Sequence, residues 1–267
     1  MISFFRKIRQ KLLSQNRVTR YLVYALGEIV LVTIGILIAL QVNNWKEARA
    51  YSQRETTFYQ SILVELENDQ KKLESLTEFY QNRIENLKWL LTAIRNPRQP
   101  ISPDEFGKHT EPLYYSETAI SFDATFEAAK SAGAFDQFSN KQLLKLLVEY
   151  YSSFKDLENV LTSILRFLEF RFEPLMASVP NNFLKKESAE QVLVSGGNPD
   201  FYALLESISD ERGVDPQEEI SSFLQQTEFE SYVIGDLGRS FNMISQLEAR
   251  IARLDSLKVE IKKQLND

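Results

Sequence analysis

The chain has 267 residues, with 31 Lys and Arg against 37 Asp and Glu, a net charge of −6, one His and no Cys. The lack of Cys excludes disulfide scaffolds, Cys-ligated zinc, iron–sulfur clusters and thiol nucleophiles, and a single His excludes sites that need two His ligands. Only nine Gly and eight Pro disfavour Gly-rich phosphate loops and β folds with many turns. The sequence therefore does not reveal a precise activity, but it indicates location and fold class.

The most informative feature is an apolar segment from Tyr21 to Val42 that contains one formal charge, Glu28. A helix needs about 20 apolar residues to cross the core of a bilayer, and aromatic rings favour the headgroup level at either side. Tyr24 lies near one end of the segment and Trp45 just beyond the other. We therefore predict a transmembrane helix at residues 21–42.

Two other interpretations of this segment fit its sequence less well. A core helix of a soluble protein rarely stays apolar on all sides, as residues 29–40 nearly do. A cleaved signal peptide has an apolar region of about 7–15 residues that ends in a small-x-small cleavage site. Here the apolar run is longer and ends in QVNNW, without such a site. An uncleaved signal anchor is the better prediction.

Basic residues before the apolar segment predict its orientation. Residues 1–27 contain no acidic residue and six basic ones, namely Arg6, Lys7, Arg9, Lys11, Arg17 and Arg20. By the positive-inside rule we expect the N-terminus in the cytoplasm and the chain from residue 43 onward outside. In a bacterium this predicts an inner-membrane protein with a periplasmic C-terminal portion. Residues 1–20 are typical of a basic amphipathic segment that lies on the inner leaflet.

Glu28 is the most informative single residue, because an ionisable group in the hydrocarbon region is costly and indicates a function. Helical spacing places it on one face with Val32, Gly35 and Ala39, and the small residues on that face allow another helix to approach closely. One interpretation is a carboxyl that forms a hydrogen bond across an oligomer interface. The other is a proton-carrying acid of an ion-driven complex. The first is favoured because no relay partner is visible.

Residues 43–96 predict one long amphipathic helix, because no Gly or Pro occurs between Gly35 and Pro97. A stripe of mainly apolar residues at alternating three- and four-residue spacing indicates a heptad pattern. Its apolar members include Ile62, Leu66, Leu73, Leu76, Leu87 and Leu90, and its charged members are Asp69 and Arg83. Charged residues in such a stripe cost stability and can fix register or partner. The stripe can pack within one chain or between chains, and the first is slightly favoured.

The partner for packing within the chain would be a second amphipathic helix at residues 237–267. Apolar residues continue there at helical spacing from Leu237 to Leu265. Two antiparallel long helices would form a hairpin that returns the C-terminus toward the membrane.

Residues 97–236 predict a helical head with loops rich in Pro and Gly. Four Pro between residues 97 and 112 indicate a loop, and residues 179–199 form a second irregular region. Asn140 is a plausible N-cap of a helix that continues toward Pro174. No convincing pair of strands is present. The predicted fold is therefore all-α: a transmembrane helix that continues into a long helix, with an extracytoplasmic helical bundle.

The opening MISFFRKIRQKLL and the following YALGEIVLVTIGILIALQVNNW resemble an uncharacterised single-pass membrane family of the Bacteroidota, described only as a domain of unknown function. TFEAAKSAG (residues 125–133) and NKQLLKLLVEYY (residues 140–151) resemble the central block of the same family, although Ala129 stands where that family has Leu. The resemblance implies an inner-membrane location in a diderm bacterium. It implies no known activity and no catalytic residues.

Candidate reactive groups are few. No metalloprotease, hydrolase, phosphate-loop or dinucleotide-binding motif occurs, so we expect no enzymatic activity, no catalytic residue and no cofactor. His109 lies in the Pro-rich segment and is expected to be exposed to solvent. Glu65, Glu67 and Asp69 form a conceivable but weak divalent-ion site, and hydrated carboxylates are the favoured interpretation, so we expect no metal. Nucleic acid binding is implausible for an acidic, extracytoplasmic portion.

Two functional hypotheses follow. The favoured one is a non-enzymatic, membrane-anchored scaffold that oligomerises through its transmembrane and heptad helices and binds an envelope partner with its head. The alternative is an accessory subunit of a complex coupled to the proton-motive force, in which Glu28 carries protons. In both cases the partners are the lipid bilayer, further copies of the chain and a possible envelope protein.

Overall fold

The computed structural model describes residues 17–179, 199–209, 211, 213 and 215–266, and these residues contain helices and no strand. The chain divides into two compact units. The first comprises the chain up to Thr57 together with Gln137–Ser139, and the second comprises Phe58–Asp136 and Asn140–Asp267. The amphipathic helix predicted near the N-terminus lies outside the described residues.

The first helix, α1, spans Arg17–Arg95 without interruption. Two separate predictions, the apolar segment at 21–42 and the amphipathic helix at 43–96, are therefore parts of one helix. The absence of Gly and Pro after Gly35 explains why nothing stops it before Pro97. The all-α fold class and the continuation of the N-terminal helix into a helical region are confirmed.

The remaining helices are shorter, except for the last. In chain order they are α2 (Pro103–Thr110), α3 (Ala124–Ser131), α4 (Lys141–Ser152), α5 (Phe154–Phe167), α6 (Glu173–Met176), α7 (Pro199–Ser207), α8 (Pro216–Leu224) and α9 (Thr227–Asn266). Two 3₁₀ turns (Glu111–Tyr114 and Ala134–Gln137) and one π-helical turn (Leu168–Phe172) complete the described secondary structure.

In the second unit, α9 packs antiparallel to α1. Arg83 of α1 pairs with Asp236 of α9, whereas Gln70, earlier in α1, accepts a hydrogen bond from Lys258, later in α9. The residue numbers of the contacting pairs thus rise along one helix as they fall along the other. The predicted antiparallel packing of the two long helices within one chain is what the structure contains.

The helices α4 and α5 form the third layer of this bundle. The Asn140 side chain donates to Gln264 near the end of α9, and Ser163 accepts from Arg239 near its beginning. Both helices therefore also run antiparallel to α9, and the core lies between three helical layers. Asn140 caps α4 as predicted, because its side chain accepts the backbone N–H of Leu143.

The prediction of a loop at residues 97–112 is wrong for Pro103–Thr110, which form the helix α2. Ser102 and Glu105 form a capping box, since each side chain binds the backbone N–H of the other residue. Pro103 occupies the first turn, where its missing N–H costs nothing. The four Pro therefore mark a helix start as well as a loop.

The C-terminal helix begins at Thr227, ten residues before the predicted start at residue 237. The helix continues without interruption through Gly235 and Gly238. Gly235 lies against the ring of Phe167 from α5, and a Cβ atom at this position would be 2.7 Å from that ring. Here Gly allows close helix packing and does not end the helix.

This contact predicts opposite results for two glycines of α9. Gly235→Ala should lower the free energy of unfolding by about 1–3 kcal/mol, because the new methyl group forces Phe167 away from its stack on Tyr232. A Cβ atom at Gly238 would have no neighbour within 4 Å, so Gly238→Ala should raise the free energy of unfolding by about 0.5–1 kcal/mol through the higher helix propensity of Ala. Urea unfolding followed by circular dichroism measures both. Equal effects of the two substitutions would contradict the proposed packing.

Candidate functional site

In the first unit, the apolar part of α1 has no partner within the described chain. The described residues contain one helix long and apolar enough to cross a membrane, and its most apolar window, with a mean hydropathy of 2.4, has none of its residues buried. Glu28, Val32, Gly35 and Ala39 are all exposed. A Cβ atom added to Gly35 would meet nothing within 4 Å. The predicted face is thus open to another helix.

The heptad stripe of α1, in contrast, is covered by its own chain. Ile62, Leu66, Leu73, Leu76, Leu87 and Leu90 are all buried. Leu87 and Leu90 belong to one apolar cluster with aromatic residues of α2 and α9, including Phe106 and Phe229. This burial agrees with packing within one chain, and these residues would have to leave their own core before they could form an interface between chains.

Arg83, a charged member of the stripe, forms a buried ion pair with Asp236 of α9. Their side chains are 2% and 1% exposed, and Arg83 Nη2 lies 2.7 Å from Asp236 Oδ2. Arg83 also donates to the backbone carbonyls of Leu113 and Tyr115. Burial opposes the charged form of Arg83, but the carboxylate of Asp236 outweighs it and the pKa is raised. The guanidinium is therefore charged, and each of its three nitrogen atoms donates a hydrogen bond within the chain.

The hydroxyl of Tyr232 completes this first buried layer. It donates to Asp236 Oδ2 at 2.7 Å and lies 3.3 Å from Arg83 Nη2. Burial and the neighbouring carboxylate of Asp236 raise the pKa of Tyr232 well above its usual value. The phenol thus stays protonated and acts as a hydrogen-bond donor.

Asp69 forms the second buried layer with Arg250 of α9 and Tyr150 of α4. Asp69 Oδ2 accepts from the Tyr150 hydroxyl at 2.6 Å and from Arg250 Nη2 at 3.3 Å, while Oδ1 accepts the backbone N–H of Phe122 at 3.1 Å. Arg250 also lies over the ring of Tyr150, 4.0 Å from its centre. One carboxylate therefore connects three helical layers and a loop.

Two heptads separate the two layers on both long helices, and the acidic residue comes first on each. Asp69 precedes Arg83 on α1, and Asp236 precedes Arg250 on α9. Antiparallel packing joins opposite charges in both layers. A parallel arrangement at the corresponding register would bring Asp next to Asp and Arg next to Arg, which costs free energy inside a protein. These charges therefore specify orientation and register.

Two of the three clustered acidic residues of α1, Glu65 and Asp69, form hydrogen bonds with other parts of the chain. Glu65 Oε1 accepts both the N–H and the hydroxyl of Thr125 at the start of α3, at 2.8 and 2.6 Å. Asp69 is occupied as described above, and Glu67 is exposed. No group of three or more potential ligands suited to a metal ion occurs among the described residues. The hydrated-carboxylate interpretation is wrong for Glu65 and Asp69, which anchor the 122–125 segment.

The prediction that His109 is exposed to solvent is wrong, because α2 places its ring against α1. Its ring stacks on Trp89 with 4.0 Å between ring centres, and its Nδ1 lies 2.8 Å from the side-chain oxygen of Asn86. Burial and, secondarily, the positive charge of Lys108 lower the pKa of His109 from 6.5 to about 4. The imidazole is therefore neutral at physiological pH and serves packing.

This pKa predicts a loss of stability in mild acid. The unfolded chain binds a proton near pH 6.5 and the folded chain only near pH 4, so acidification favours unfolding. The free energy of unfolding should fall by about 1–2 kcal/mol between pH 7 and pH 5. His109→Phe, which keeps a ring on Trp89, should reduce this dependence. Because the chain has one His, a proton NMR titration reports its pKa directly; a value near 6.5 would contradict the prediction.

Sequence reasoning did not identify a third buried polar group, Glu111, which is 2% exposed. Its Oε1 accepts hydrogen bonds from the hydroxyls of Tyr115 and Tyr202, at 2.9 and 2.8 Å. Its Oε2 has no hydrogen-bond partner among the described residues. Burial raises the pKa of Glu111. The carboxyl joins α7, through Tyr202, to the 3₁₀ turn after α2.

Comparison with known proteins gives one family. Residues 28–99 match the model of a family of unknown function, DUF6090. The matched range begins at Glu28 in the apolar segment, includes Asp69 and Arg83, and ends just after α1. No curated protein and no solved structure matches the chain. Similarity to an uncharacterised family is thus confirmed for about a quarter of the chain, and no activity comes with it.

Proposed function

We propose that the protein is a membrane-anchored, non-enzymatic scaffold or interaction protein of the bacterial cell envelope. The observation that carries this proposal is that no residue in the apolar window of α1 is buried by the rest of the described chain. A helix of a soluble core would bury such a window, whereas a helix in a bilayer exposes it to lipid. The stripe of the second unit, in contrast, is already buried within the chain.

The proposed location is the inner membrane, crossed once, with the N-terminus in the cytoplasm and the helical bundle in the periplasm. Six basic residues before the apolar segment and the absence of acidic residues there support this orientation. The resemblance of the N-terminal residues to a single-pass membrane family of the Bacteroidota supports the location. Cysteine scanning with a membrane-impermeant thiol reagent tests it, since the natural chain has no Cys to interfere.

We further propose that copies of the chain associate through the face formed by Glu28, Val32, Gly35 and Ala39. In hydrocarbon an acid gains free energy by donating a hydrogen bond across a helix interface, and small residues allow the backbones to approach. Native mass measurement of the full chain in mild detergent tests this association. A monomer at all protein concentrations would exclude it.

A second candidate function is favoured by the same exposed acid. Among the described residues none donates a hydrogen bond to the Glu28 carboxyl, and in an accessory subunit of a proton-motive-force-coupled complex this carboxyl would exchange protons. A stoichiometric polytopic membrane protein in the native complex would favour this candidate over the scaffold.

Two substitutions at Glu28 separate these candidates. Under the scaffold proposal, Glu28→Gln keeps a hydrogen-bonding group and leaves the oligomer intact, whereas Glu28→Leu removes it and shifts the equilibrium toward monomer by about 3- to 20-fold, which corresponds to about 0.6–1.7 kcal/mol. Native mass measurement of both variants gives the result. If Glu28→Gln preserves assembly but abolishes a phenotype that depends on the proton-motive force, the second candidate is supported.

A further inference from the structure

The π-helical turn after α5 presents an exposed aromatic side chain. Leu168 and Phe172 of this turn are buried, while Phe170 between them is 71% exposed. A π-helical turn inserts one residue into a helix and is frequent at functional sites. An exposed aromatic ring of this size can serve as an anchor for a bound partner.

Two adjoining grooves flank Phe170 and share Phe167, Phe170 and Arg171 as lining residues. One groove, about 400 Å³, continues along α5 to Thr162 and Ser163. The other, about 550 Å³, continues toward the start of α9. Together they form one surface with an aromatic centre and polar groups at its ends.

The charge of this surface is opposite to that of the chain as a whole. Three arginines line it, Arg166, Arg171 and Arg239, whereas Glu228 is the acidic residue that the grooves contain. Arg166 and Arg171 form no ion pair with any residue that the structure describes. The chain carries a net charge of −6, so an arginine cluster here is a local feature.

Arg239 is already held in position. Its guanidinium lies 3.8 Å from the centre of the Phe167 ring, and it donates to the Gly235 carbonyl at 2.8 Å and to Ser163 Oγ at 3.2 Å. A guanidinium fixed in this way loses little conformational entropy when it binds a carboxylate.

We propose that this surface binds an acidic peptide segment of a partner protein. Arginines match carboxylates in geometry and charge, and an exposed phenylalanine packs against an apolar side chain of the same segment. A peptide suits the surface better than a small anion because the two grooves extend to both sides of Phe170. This inference deepens the proposed interaction role by naming a site and a partner class, and it does not depend on the membrane segment.

The test uses the full chain in nanodiscs of neutral lipid and a fluorescein-labelled peptide of alternating Glu and Leu with a central Phe. Saturable binding is expected by fluorescence anisotropy, and Arg166→Glu combined with Arg171→Glu should weaken it at least tenfold. Phe170→Ser should also weaken it, by about 3- to 10-fold. A peptide with Lys in place of Glu should not bind.

The matched control carries the same charge change on exposed positions of α4 and of the beginning of α5, Lys145→Glu with Lys155→Glu. This control should bind the peptide within twofold of the natural chain. Equal weakening by the control, no effect of Phe170→Ser, or complete displacement of the peptide by 10 mM inorganic phosphate would each overturn the proposal. Intact oligomers and membrane insertion in the same samples show that such a failure concerns this surface alone.

Discussion

Replacing Arg83 by Met should lower the free energy of unfolding by about 3–5 kcal/mol. The substitution keeps most of the apolar stem but leaves the buried carboxylate of Asp236 without its cation. The carbonyls of Leu113 and Tyr115 also lose their donor. An unpaired charge in the interior costs much more than the pair contributes, because it keeps the desolvation penalty without the attraction. Urea unfolding in detergent, followed by circular dichroism, measures the change.

The matched control is Arg95→Met on the same helix. Arg95 pairs with Glu230, but both side chains are substantially exposed, so the loss should be about 0–1 kcal/mol. A second variant tests the mechanism: Arg83→Met combined with Asp236→Leu removes both charges and should be less destabilised than Arg83→Met alone. If the double variant is the less stable one, the unpaired carboxylate is not the cause.

Much of the fold was predictable because it depends on local sequence. The length of α1 follows from an absence of helix breakers, and its buried face follows from heptad spacing. The N-cap of α4 follows from the side-chain chemistry of Asn140. Each of these features is determined by residues within a few turns of one another.

The beginning and register of α9 were not predictable in the same way. Helical spacing of the apolar residues from Leu237 onward includes Phe241, but Phe241 is 56% exposed, and the buried stripe contains Asp236, Ser240 and Arg250. Counting only apolar residues shifted the expected face. The correct face is visible in the sequence once the charges are included, because Asp236 and Arg250 repeat both the two-heptad spacing and the acid-first order of Asp69 and Arg83.

The same distinction between local and long-range interactions applies to the candidate sites. Glu28 and its face could be identified because a charge in an apolar segment is conspicuous. Glu111, His109 and the surface around Phe170 could not, since their environments are created by helices distant in sequence. For His109 the misleading signal was the Pro-rich segment, which forms the capped helix α2 and not an open loop.

The substitution Asp69→Asn tests the second buried layer with minimal change of shape. We expect it to lower the free energy of unfolding by about 2–4 kcal/mol. The amide can still accept the N–H of Phe122 with its oxygen, but its NH₂ group replaces the oxygen that accepts from the Tyr150 hydroxyl and from Arg250, and Arg250 has no acceptor to offer in return. Burial, together with Asp69, raises the pKa of Tyr150, so its hydroxyl keeps its proton, and this proton loses the carboxylate that accepts it.

Glu67→Gln supplies the control, because it makes the same chemical change two residues earlier on an exposed side chain of α1. Its effect should stay within about 0.5 kcal/mol. In the Asp69→Asn variant, Arg250 keeps its hydrogen bonds to the Tyr150 carbonyl and to Ser153. The free energy of unfolding should therefore fall by less than it would if the arginine had no remaining partner. Equal stability of the two variants would mean that Asp69 does not hold the layers together. A large loss for Asp69→Asn alone would establish that one carboxylate fixes α1, α4 and α9 in register.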